Sequence, residues 1–296
     1  MRITRFDLLG SSCDHGRMLR IHKTNYWTLV LLVTSCAQPR HPNLNSVLWA
    51  LTSAEYEAAT RTVYESAART LAEAKADLTW TAALEQRQDL NDPKVQETLK
   101  PAVILDIDET VLNNARYFAR IIRDERRVAA GTWDAWVAEH RAKALAGVID
   151  YVREAKRHGI AIVYLTNRAC RKRPGSDASC PQRSDTIANL QEVGLPALGP
   201  DDLVLLRNQQ PGWDRDKGKR RAFVCENYRI LQIFGDNLGD FAPAPGNRDS
   251  TPTPDQRRAM IAQYHDKWGS KWFMFPNPMY GPWLNILGDE PEAYLE

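Results

Sequence analysis

The feature that most constrains this chain is the stretch of residues 102–113, which reads AVILDIDETVLN. Four apolar residues are followed by two carboxylates, Asp106 and Asp108, with Thr110 two positions further on. An apolar run bounded by polar residues predicts a buried strand of a parallel sheet. Side chains alternate along extended backbone, so both carboxylates should point the same way at the carboxyl end of this strand, where open α/β sheets bind ligands.

These two carboxylates carry an electrostatic cost. Like charges this close repel each other unless a cation or a shared proton compensates them. A solvated acidic turn after a strand is the alternative interpretation. The pattern therefore indicates either a charge-compensated site or an acidic turn at the end of the strand.

Strands and helices alternate along the middle of the chain. Further strands are predicted at residues 160–165, 202–206 and 230–234, and the predicted helices cover residues 117–128, 132–146, 148–158, 184–193 and 216–228. This spacing implies right-handed crossovers and a parallel sheet between two layers of helices. A helical region is also predicted at residues 46–90, with Thr52 or Ser53 as its N-cap.

Four motifs occur in a fixed order: DIDET at 106–110, VYLTNR at 163–168, DKGKRR at 216–221 and GDNLGDF at 235–241. They resemble motifs I to IV of the haloacid dehalogenase (HAD) superfamily of phosphotransferases. The forms LTNR and GDNLxDF resemble in particular the class C acid phosphatases, which are bacterial lipoprotein phosphatases and nucleotidases. The resemblance covers residues 55–280 and implies a HAD-type, Rossmann-like parallel sheet sandwiched by helices, with a smaller, mainly helical cap domain.

The resemblance implies a phosphomonoesterase that acts through an aspartyl-phosphate. A phosphate monoester is a dianion, so the site must concentrate positive charge around it. Asp106 is the expected nucleophile and Asp108 the expected acid and then base. Mg²⁺ would be held by Asp106, the backbone carbonyl of Asp108 and Asp236. Thr166 and Asn167 would donate hydrogen bonds to the phosphoryl oxygens.

Four further residues of these motifs have supporting roles by the same resemblance. Lys217 is the expected motif III cation, with Lys219 as the alternative, because Gly218 stands where the family pattern has Ser. Asp240 would orient a metal-bound water or accept a hydrogen bond from that lysine, and Thr110 would support motif I. Arg168 is expected either to bind the substrate or to form a surface salt bridge. The remaining basic side chains of motif III are expected on a solvated helix face.

Aromatic residues suggest the kind of phosphate ester. Trp133 and Trp136 are three positions apart and share one helix face, so they form either core or a platform on which a base could stack. Tyr117 is a further candidate. The segment FPNPMYGPW resembles the C-terminal segment of class C phosphatases, which places a ring-stacking tyrosine at Tyr280. Nucleoside monophosphates are the expected substrates; the alternatives are an acid phosphatase without base preference and a non-catalytic lipoprotein that captures nucleotides.

The N-terminus is typical of an export signal. Basic residues precede an apolar run at 26–33, which is shorter than the roughly 20 residues that a bilayer crossing needs. The sequence VTSC that follows resembles a bacterial lipobox and implies cleavage before Cys36 and lipidation of its thiol; a plain signal peptide is the alternative. The expected location is an outer membrane or the periplasm, with the protein held to the membrane by its lipid anchor.

Composition sets the remaining expectations. The net charge of +2 gives no reason to expect a nucleic acid partner, and whether the chain forms a homodimer is left open. Cys170 and Cys180 bracket a polar segment and could form a disulfide in an oxidising compartment, or bind a metal. The expected domains are a signal (1–35), a tether with N-terminal helices (36–100), a phosphatase core (101–249) with a helical insertion (116–146), and an aromatic C-terminal segment (250–296).

Overall fold

A parallel sheet with helices on both faces organises the structure. The structure is a computed structural model that describes residues 41–86, 92, 95, 98–243, 252–288 and 291–295. The predicted signal, Cys36 and the first residues of the predicted tether lie outside the described residues. The described residues all belong to one compact unit, Arg40–Glu296.

The described helices are mostly shorter than the apolar pattern predicts. They are α1 (Leu44–Thr52), α2 (Ala54–Ala76), α3 (Ala115–Arg123), α4 (Ala130–Ala138), α5 (Val148–Arg157), α6 (Pro181–Glu192), α7 (Gly218–Cys225), α8 (Pro254–Gln263) and α9 (Pro282–Asn285), with 3-10 turns at Leu238–Asp240 and Pro291–Tyr294. Ser53 caps α2 by accepting a hydrogen bond from the backbone of Tyr56, as predicted. Within the described part of the chain, no helix has both the length and the apolar character needed to cross a membrane.

Five parallel strands form the main sheet: β1 (Lys100–Leu105), β4 (Ala161–Ala169), β5 (Leu203–Arg207), β6 (Tyr228–Gly235) and β7 (Trp272–Met274). Their order across the sheet is β5-β4-β1-β6-β7. The predicted strands and their parallel arrangement are confirmed, while the short edge strand β7 was not predicted. β1 lies at the centre of the sheet, so the residues that follow it are flanked by the ends of β4 and β6.

The strands alternate between two hydrophobic cores. Val103 and Leu105 face the core formed with α1, α2, α5 and α6, whereas Ala102 and Ile104 face the core formed with α7 and α8. This period of two is what a strand buried on both faces requires. The three-layer sandwich predicted from the sequence is therefore confirmed.

The helical insertion after β1 differs from its prediction. The helix predicted at 117–128 is α3, which ends at Arg123, and a small antiparallel pair, β2 (Leu112–Asn113) with β3 (Lys143–Ala144), brackets the insertion. The helix predicted at 132–146 is α4, which begins at Ala130 and ends at Ala138, and the Thr132 hydroxyl in its first turn bonds the backbone of Ala129. The described residues of the insertion belong to the same compact unit as the sheet and form no separate cap domain.

Arg229 joins the sheet to the end of α2. Its side chain is 2% exposed, and its guanidinium donates hydrogen bonds to the backbone carbonyls of Ala74, Lys75, Asp77 and Trp80 at 2.7–3.2 Å. The last carbonyls of a helix have no partner within the helix, and a cation there also interacts favourably with the helix dipole. Arg229 therefore fixes the chain between α2 and the sheet.

We predict that Arg229→Met lowers the free energy of unfolding by about 2–4 kcal/mol, because four backbone carbonyls lose the donor that the buried guanidinium supplies. Urea denaturation followed by circular dichroism measures this change. The control is Arg258→Met, which removes an exposed arginine paired with Asp255 and should change stability by less than about 0.5 kcal/mol. Equal stability of the two variants would contradict the role given to Arg229.

Candidate active site

The carboxyl ends of three neighbouring strands place the motif residues together. Asp106 and Asp108 follow β1, residues 166–168 end β4, and Asp236 follows β6. Because the strands are parallel, all three ends lie at one edge of the sheet. The backbone N–H of Asp106 donates to the carbonyl of Phe234 at 3.0 Å, which holds the end of β1 against β6.

Lys217 lies between two of the carboxylates. Its ammonium contacts Asp106 Oδ1 directly and lies 2.5 Å from Asp240 Oδ1, and its side chain is 4% exposed. Lys219, the alternative lysine, is exposed. Of the two roles considered for Asp240, the structure shows the ion pair with the motif III lysine.

Three carboxylates, those of Asp106, Asp236 and Asp240, bring one oxygen each to within 4.8 Å of one another. Lys217 contacts two of them, and Asp236 accepts a hydrogen bond of 2.7 Å from the amide of Asn277. One ammonium balances only part of the charge of three carboxylates. A set of oxygen ligands with surplus negative charge suits a hard divalent cation, so these residues fit the metal that the motifs imply.

The pKa values of this cluster reflect the surplus charge. Burial raises the pKa of Asp106 to about 7, with Asp240 and Asp108 adding to the rise and Lys217 opposing it. Burial also raises the pKa of Asp236 well above its ordinary value, and the charges of Asp240 and Asp106 raise it further. Without a bound cation, the cluster therefore retains protons that free carboxyls would release.

Asp108 turns its carboxylate away from this cluster and toward Arg168. The guanidinium donates to Oδ1 at 2.8 and 3.1 Å and to Oδ2 at 3.2 Å, and its other nitrogen donates to the hydroxyl of Thr186 at 3.1 Å. Arg168 is 2% exposed. The ion pair with Asp108 is therefore buried, and the expectation of a surface salt bridge was wrong. The alternative role of Arg168, contact with the substrate, stays a prediction.

Thr166 and Asn167 lie beside Asp108 but differ in exposure. Thr166 is buried, and its hydroxyl is 3.5 Å from Asp108 Oδ2 and accepts a hydrogen bond from the backbone N–H of Arg168. The Asn167 side chain is exposed and donates to the carbonyl of Arg215 at 3.1 Å. Pairing of β4 with β5 shifts register between Thr166 and Ala169, so the chain bulges where these residues project.

Two arginines of motif III are buried, contrary to the prediction of a solvated helix face. Arg220 donates to the backbone carbonyl of Thr166 at 2.6 Å and to Asn167 Oδ1 at 2.7 Å. Arg221 forms a two-pronged ion pair with Glu85 and donates to the backbone carbonyl of Asp240 at 2.9 Å. Side chains of α7 therefore hold the ends of β4 and β6 in place.

Glu109 and Asn114 were not predicted as site residues. Glu109 is fully buried, with a positive φ of 57°, and its carboxylate accepts hydrogen bonds from the backbone of Asn114 and from the Tyr280 hydroxyl. Burial, followed by the charge of Asp108, raises the pKa of Glu109 to about 8. Asn114 donates to Asp108 Oδ1 at 3.0 Å. The signal in the sequence was the presence of further polar residues within a stretch predicted to be buried.

The aromatic candidates separate into core and partly accessible rings. Tyr117 and Trp136 are 3% and 2% exposed, and the Trp136 indole donates to Asn114 Oδ1. Trp136 therefore takes the core alternative, and Tyr117 is a core residue too and has no open face on which a base could stack. Trp133 is half-buried with its ring edge-on to Tyr117. Tyr280 is half-buried and stacks on Phe118 at 5.0 Å, with its hydroxyl on Glu109.

Three other predicted residues, Thr110, Cys170 and Cys180, support the site from outside the charged cluster. Thr110 is buried, and its backbone carbonyl accepts a hydrogen bond of 2.9 Å from the Tyr64 hydroxyl. Cys170 and Cys180 form a disulfide that joins the end of β4 to the start of α6. This disulfide ties the end of β4, which carries Arg168, to the start of α6, which carries Thr186.

A family model describing the HAD superfamily, subfamily IIIB (acid phosphatase), matches residues 34–283. The chain belongs to this family. The match spans all four motifs and confirms the family expected from them.

Solved structures agree with this assignment. Two structures of the class C acid phosphatase from Bacillus anthracis, one with tungstate bound, are 29% and 30% identical to this chain, with TM-scores of 0.64 and 0.65. Each comparison covers 85% of this chain and 92% of the other. The stem 28 kDa glycoprotein of Glycine max is 23% identical over 185 residues, which is 61% of this chain and 60% of that protein's length.

The raised pKa values predict an unusual dependence of stability on pH. Without metal, the native state keeps protons on Asp106, Glu109 and Asp236 that the unfolded chain loses at about pH 4. The native state then binds more protons than the unfolded state, so these groups make the free energy of unfolding fall as pH rises from about 4 to 8. Carboxyl groups whose pKa values are lowered in the folded protein change the free energy of unfolding only below this pH range.

We therefore expect Asp236→Asn to melt several degrees higher than the unsubstituted protein at pH 8 in chelator, because the variant relieves buried repulsion. At pH 5 this difference should shrink. Thermal denaturation by circular dichroism provides the measurement, and Asp150→Asn, which neutralises an exposed carboxylate, is the matched control. A lower melting temperature for Asp236→Asn than for the control at pH 8 would contradict the surplus charge.

Proposed function

We propose that this protein is a Mg²⁺-dependent phosphomonoesterase that transfers the phosphoryl group of its substrate to Asp106 and then to water. The observation that carries the proposal is the arrangement at the end of β1. Asp106 lies against Lys217 within a carboxylate cluster suited to a cation, while Asp108, two residues on, is held separately by Arg168. One carboxylate can attack while the other exchanges protons.

In the first step, an oxygen of Asp106 attacks phosphorus and the bond from phosphorus to the ester oxygen breaks. Asp108, protonated, gives its proton to the departing oxygen, which leaves as an alcohol. The products of this step are an aspartyl-phosphate on Asp106 and an ionised Asp108. Lys217 stays beside Asp106 and offsets the negative charge that the phosphoryl group brings.

In the second step, the same two carboxyls act in reverse roles. Asp108 takes a proton from water as the water oxygen attacks phosphorus, and the bond between phosphorus and Asp106 breaks. Inorganic phosphate is released, Asp106 returns as a carboxylate, and Asp108 is again protonated. Atoms and protons balance over the cycle without any further reactant.

Asp106, Asp236 and Asp240, with the backbone carbonyl of Asp108, are the residues that would hold the metal. When bound, Mg²⁺ supplies positive charge next to the phosphoryl oxygens and lowers the repulsion between the dianionic ester and the carboxylates. The set differs from the one predicted from the sequence by including the Asp240 side chain.

The similar class C phosphatase with bound tungstate supports a phosphate site. Tungstate is a tetrahedral oxyanion like phosphate, and the structure that contains it matches this chain over 85% of its length. A fold shared at 30% identity makes phosphate the anion to expect here.

Asp106→Asn should abolish hydrolysis of p-nitrophenyl phosphate, with at least about a 10³-fold loss, because an amide cannot form the acyl phosphate.

Chelator should abolish activity of the unsubstituted protein, and Mg²⁺ should restore it. Acid quenching during turnover with ³²P-labelled ester should trap phosphorus on Asp106. Rapid hydrolysis without trapped phosphorus would contradict the mechanism. An unsubstituted protein that binds nucleotides without turnover would support the capture protein instead.

Nucleoside monophosphates are the substrates we propose, in preference to phosphate esters in general. Tyr280 is half-buried, stacks on Phe118 and is tied to Glu109 in motif I. A ring held next to the site offers a face on which a nucleobase can stack, an interaction of roughly 1–3 kcal/mol. Trp133, half-buried on α4, is the second ring that could contribute.

Tyr280→Leu should lower kcat/KM for adenosine monophosphate by about 5-fold to 100-fold and leave that for glycerol phosphate within about 3-fold, because only the nucleotide offers a base to stack. Initial rates on the two esters measure this ratio. Equal losses on both would favour a phosphatase without base preference, in which Tyr280 supports motif I through Glu109.

A further inference from the structure

The two oxygens of Asp108 have different surroundings. Oδ1 accepts three hydrogen bonds, from Asn114 at 3.0 Å and from two nitrogens of Arg168 at 2.8 and 3.1 Å. Oδ2 has two longer contacts, 3.2 Å from Arg168 and 3.5 Å from the Thr166 hydroxyl. A carboxylate oxygen has about two lone-pair sites, so Oδ1 is saturated and Oδ2 retains the capacity to hold a proton.

The orientation of the Asn114 amide follows from its neighbours Trp136 and Asp108, and its nitrogen also donates to the backbone carbonyl of Leu112 at 3.3 Å. The Trp136 indole is solely a donor and donates to Asn114 Oδ1 at 2.8 Å, whereas an ionised Asp108 is solely an acceptor. The amide oxygen must therefore face Trp136, and the amide nitrogen must face Asp108. The Asn114 backbone N–H is fixed as well, by Glu109 Oε1 at 2.6 Å.

Trp136 is itself held on its other side. Its ring is 2% exposed, the Arg120 guanidinium lies 4.9 Å from the ring centroid, and Arg120 forms two hydrogen bonds of 2.7 Å with Glu139. The insertion helix α4 thus contacts the site through one buried indole N–H. Loss of that N–H would leave the Asn114 amide oxygen without its donor and weaken the hold of the amide nitrogen on Asp108 Oδ1.

We propose that Trp136 and Asn114 are positioning residues that occupy Asp108 Oδ1 and so make Oδ2 the oxygen that passes the proton to the leaving group. This rests on the proposed function, in which Asp108 is the acid. The consequence is selective: departure of an alkoxide depends strongly on a proton, whereas departure of p-nitrophenolate depends on it weakly. A disturbed Asp108 should therefore affect alkyl phosphates far more than aryl phosphates.

The test compares kcat/KM for glycerol phosphate and p-nitrophenyl phosphate, because this constant covers the steps up to release of the leaving group. In Trp136→Phe, which keeps an aromatic ring and removes the N–H, we expect a loss of about 10-fold to 100-fold on glycerol phosphate, the range for removing a supporting partner of a reacting group. The loss on p-nitrophenyl phosphate should stay below about 3-fold.

Trp272→Phe is the matched control. Its indole is equally buried and donates to the carbonyl of Ala82 at 2.7 Å, and the backbone of Ala82 pairs with Ile230 near the amino end of β6, away from the site. This variant loses a comparable hydrogen bond, so its stability should fall similarly, while the ratio of the two rate constants should not change. Melting temperatures check that both proteins are folded under assay conditions.

A second variant and a double-mutant cycle separate positioning from packing. Asn114→Ala should show the same selective loss on glycerol phosphate, even if Trp136→Phe does not fold. The double variant should be no worse than Asn114→Ala alone, because Trp136 acts through Asn114. Equal losses on both esters, or additive losses in the double variant, would overturn the proposal.

The proposed function itself fails in a different way. It fails if the unsubstituted protein hydrolyses neither ester, or if Asp106→Asn retains activity, whatever the ratio in Trp136→Phe. A normal unsubstituted enzyme with an unselective Trp136→Phe overturns the positioning role alone.

Discussion

The structure depends on a cluster of negative charge at the carboxyl edge of the sheet, which Lys217 balances only in part. Asp106, Asp236 and Asp240 lie together, and Lys217 contacts Asp106 and Asp240. Burial together with mutual repulsion raises the pKa values of Asp106 and Asp236. Such an arrangement costs stability in the absence of a cation. The parallel sheet tolerates this cost because its strands are fixed by hydrophobic cores on both faces, so the repelling groups cannot move apart.

The two aspartates that follow β1 have different partners. Asp106 lies with Lys217 and the acidic cluster, while Asp108 lies with Arg168 and Asn114. Two carboxyls two residues apart would compete for the same proton or cation if they shared one environment. The structure separates them by directing each side chain to a different set of fixed groups, which is what the proposed roles of nucleophile for Asp106 and proton carrier for Asp108 require.

Buried arginines hold the site together. Arg168, Arg220 and Arg221 are each 0–2% exposed and bond to groups on other strands or loops. A buried guanidinium is costly to leave unpaired, so each one fixes the groups it contacts. Arg220 holds the end of β4, and Arg221 holds the turn after β6 through the carbonyl of Asp240. The positions of Thr166 and Asp240 therefore depend on α7 as much as on their own strands.

Much of the fold and the centre of the site could be predicted from the sequence. Apolar runs ending in polar motifs determined the parallel strands, and the order of DIDET, LTNR and GDNLGDF determined which residues meet at one edge of the sheet, because strand ends are adjacent in any parallel arrangement. What the sequence could not supply was the direction and burial of individual side chains.

Trp136 and Arg168 show why. By its spacing, Trp136 fits a stacking platform as well as it fits the core, and Arg168 fits a surface salt bridge as well as a substrate contact. A helix or strand pattern gives the face on which a side chain lies but not the partner packed against it. Only tertiary packing turned the indole toward Asn114 and enclosed the guanidinium against Asp108. The sequence by itself determined which chemical groups reach the site; the tertiary structure decided which of them are accessible to a substrate and which hold the others in place, because burial depends on contacts between distant parts of the chain.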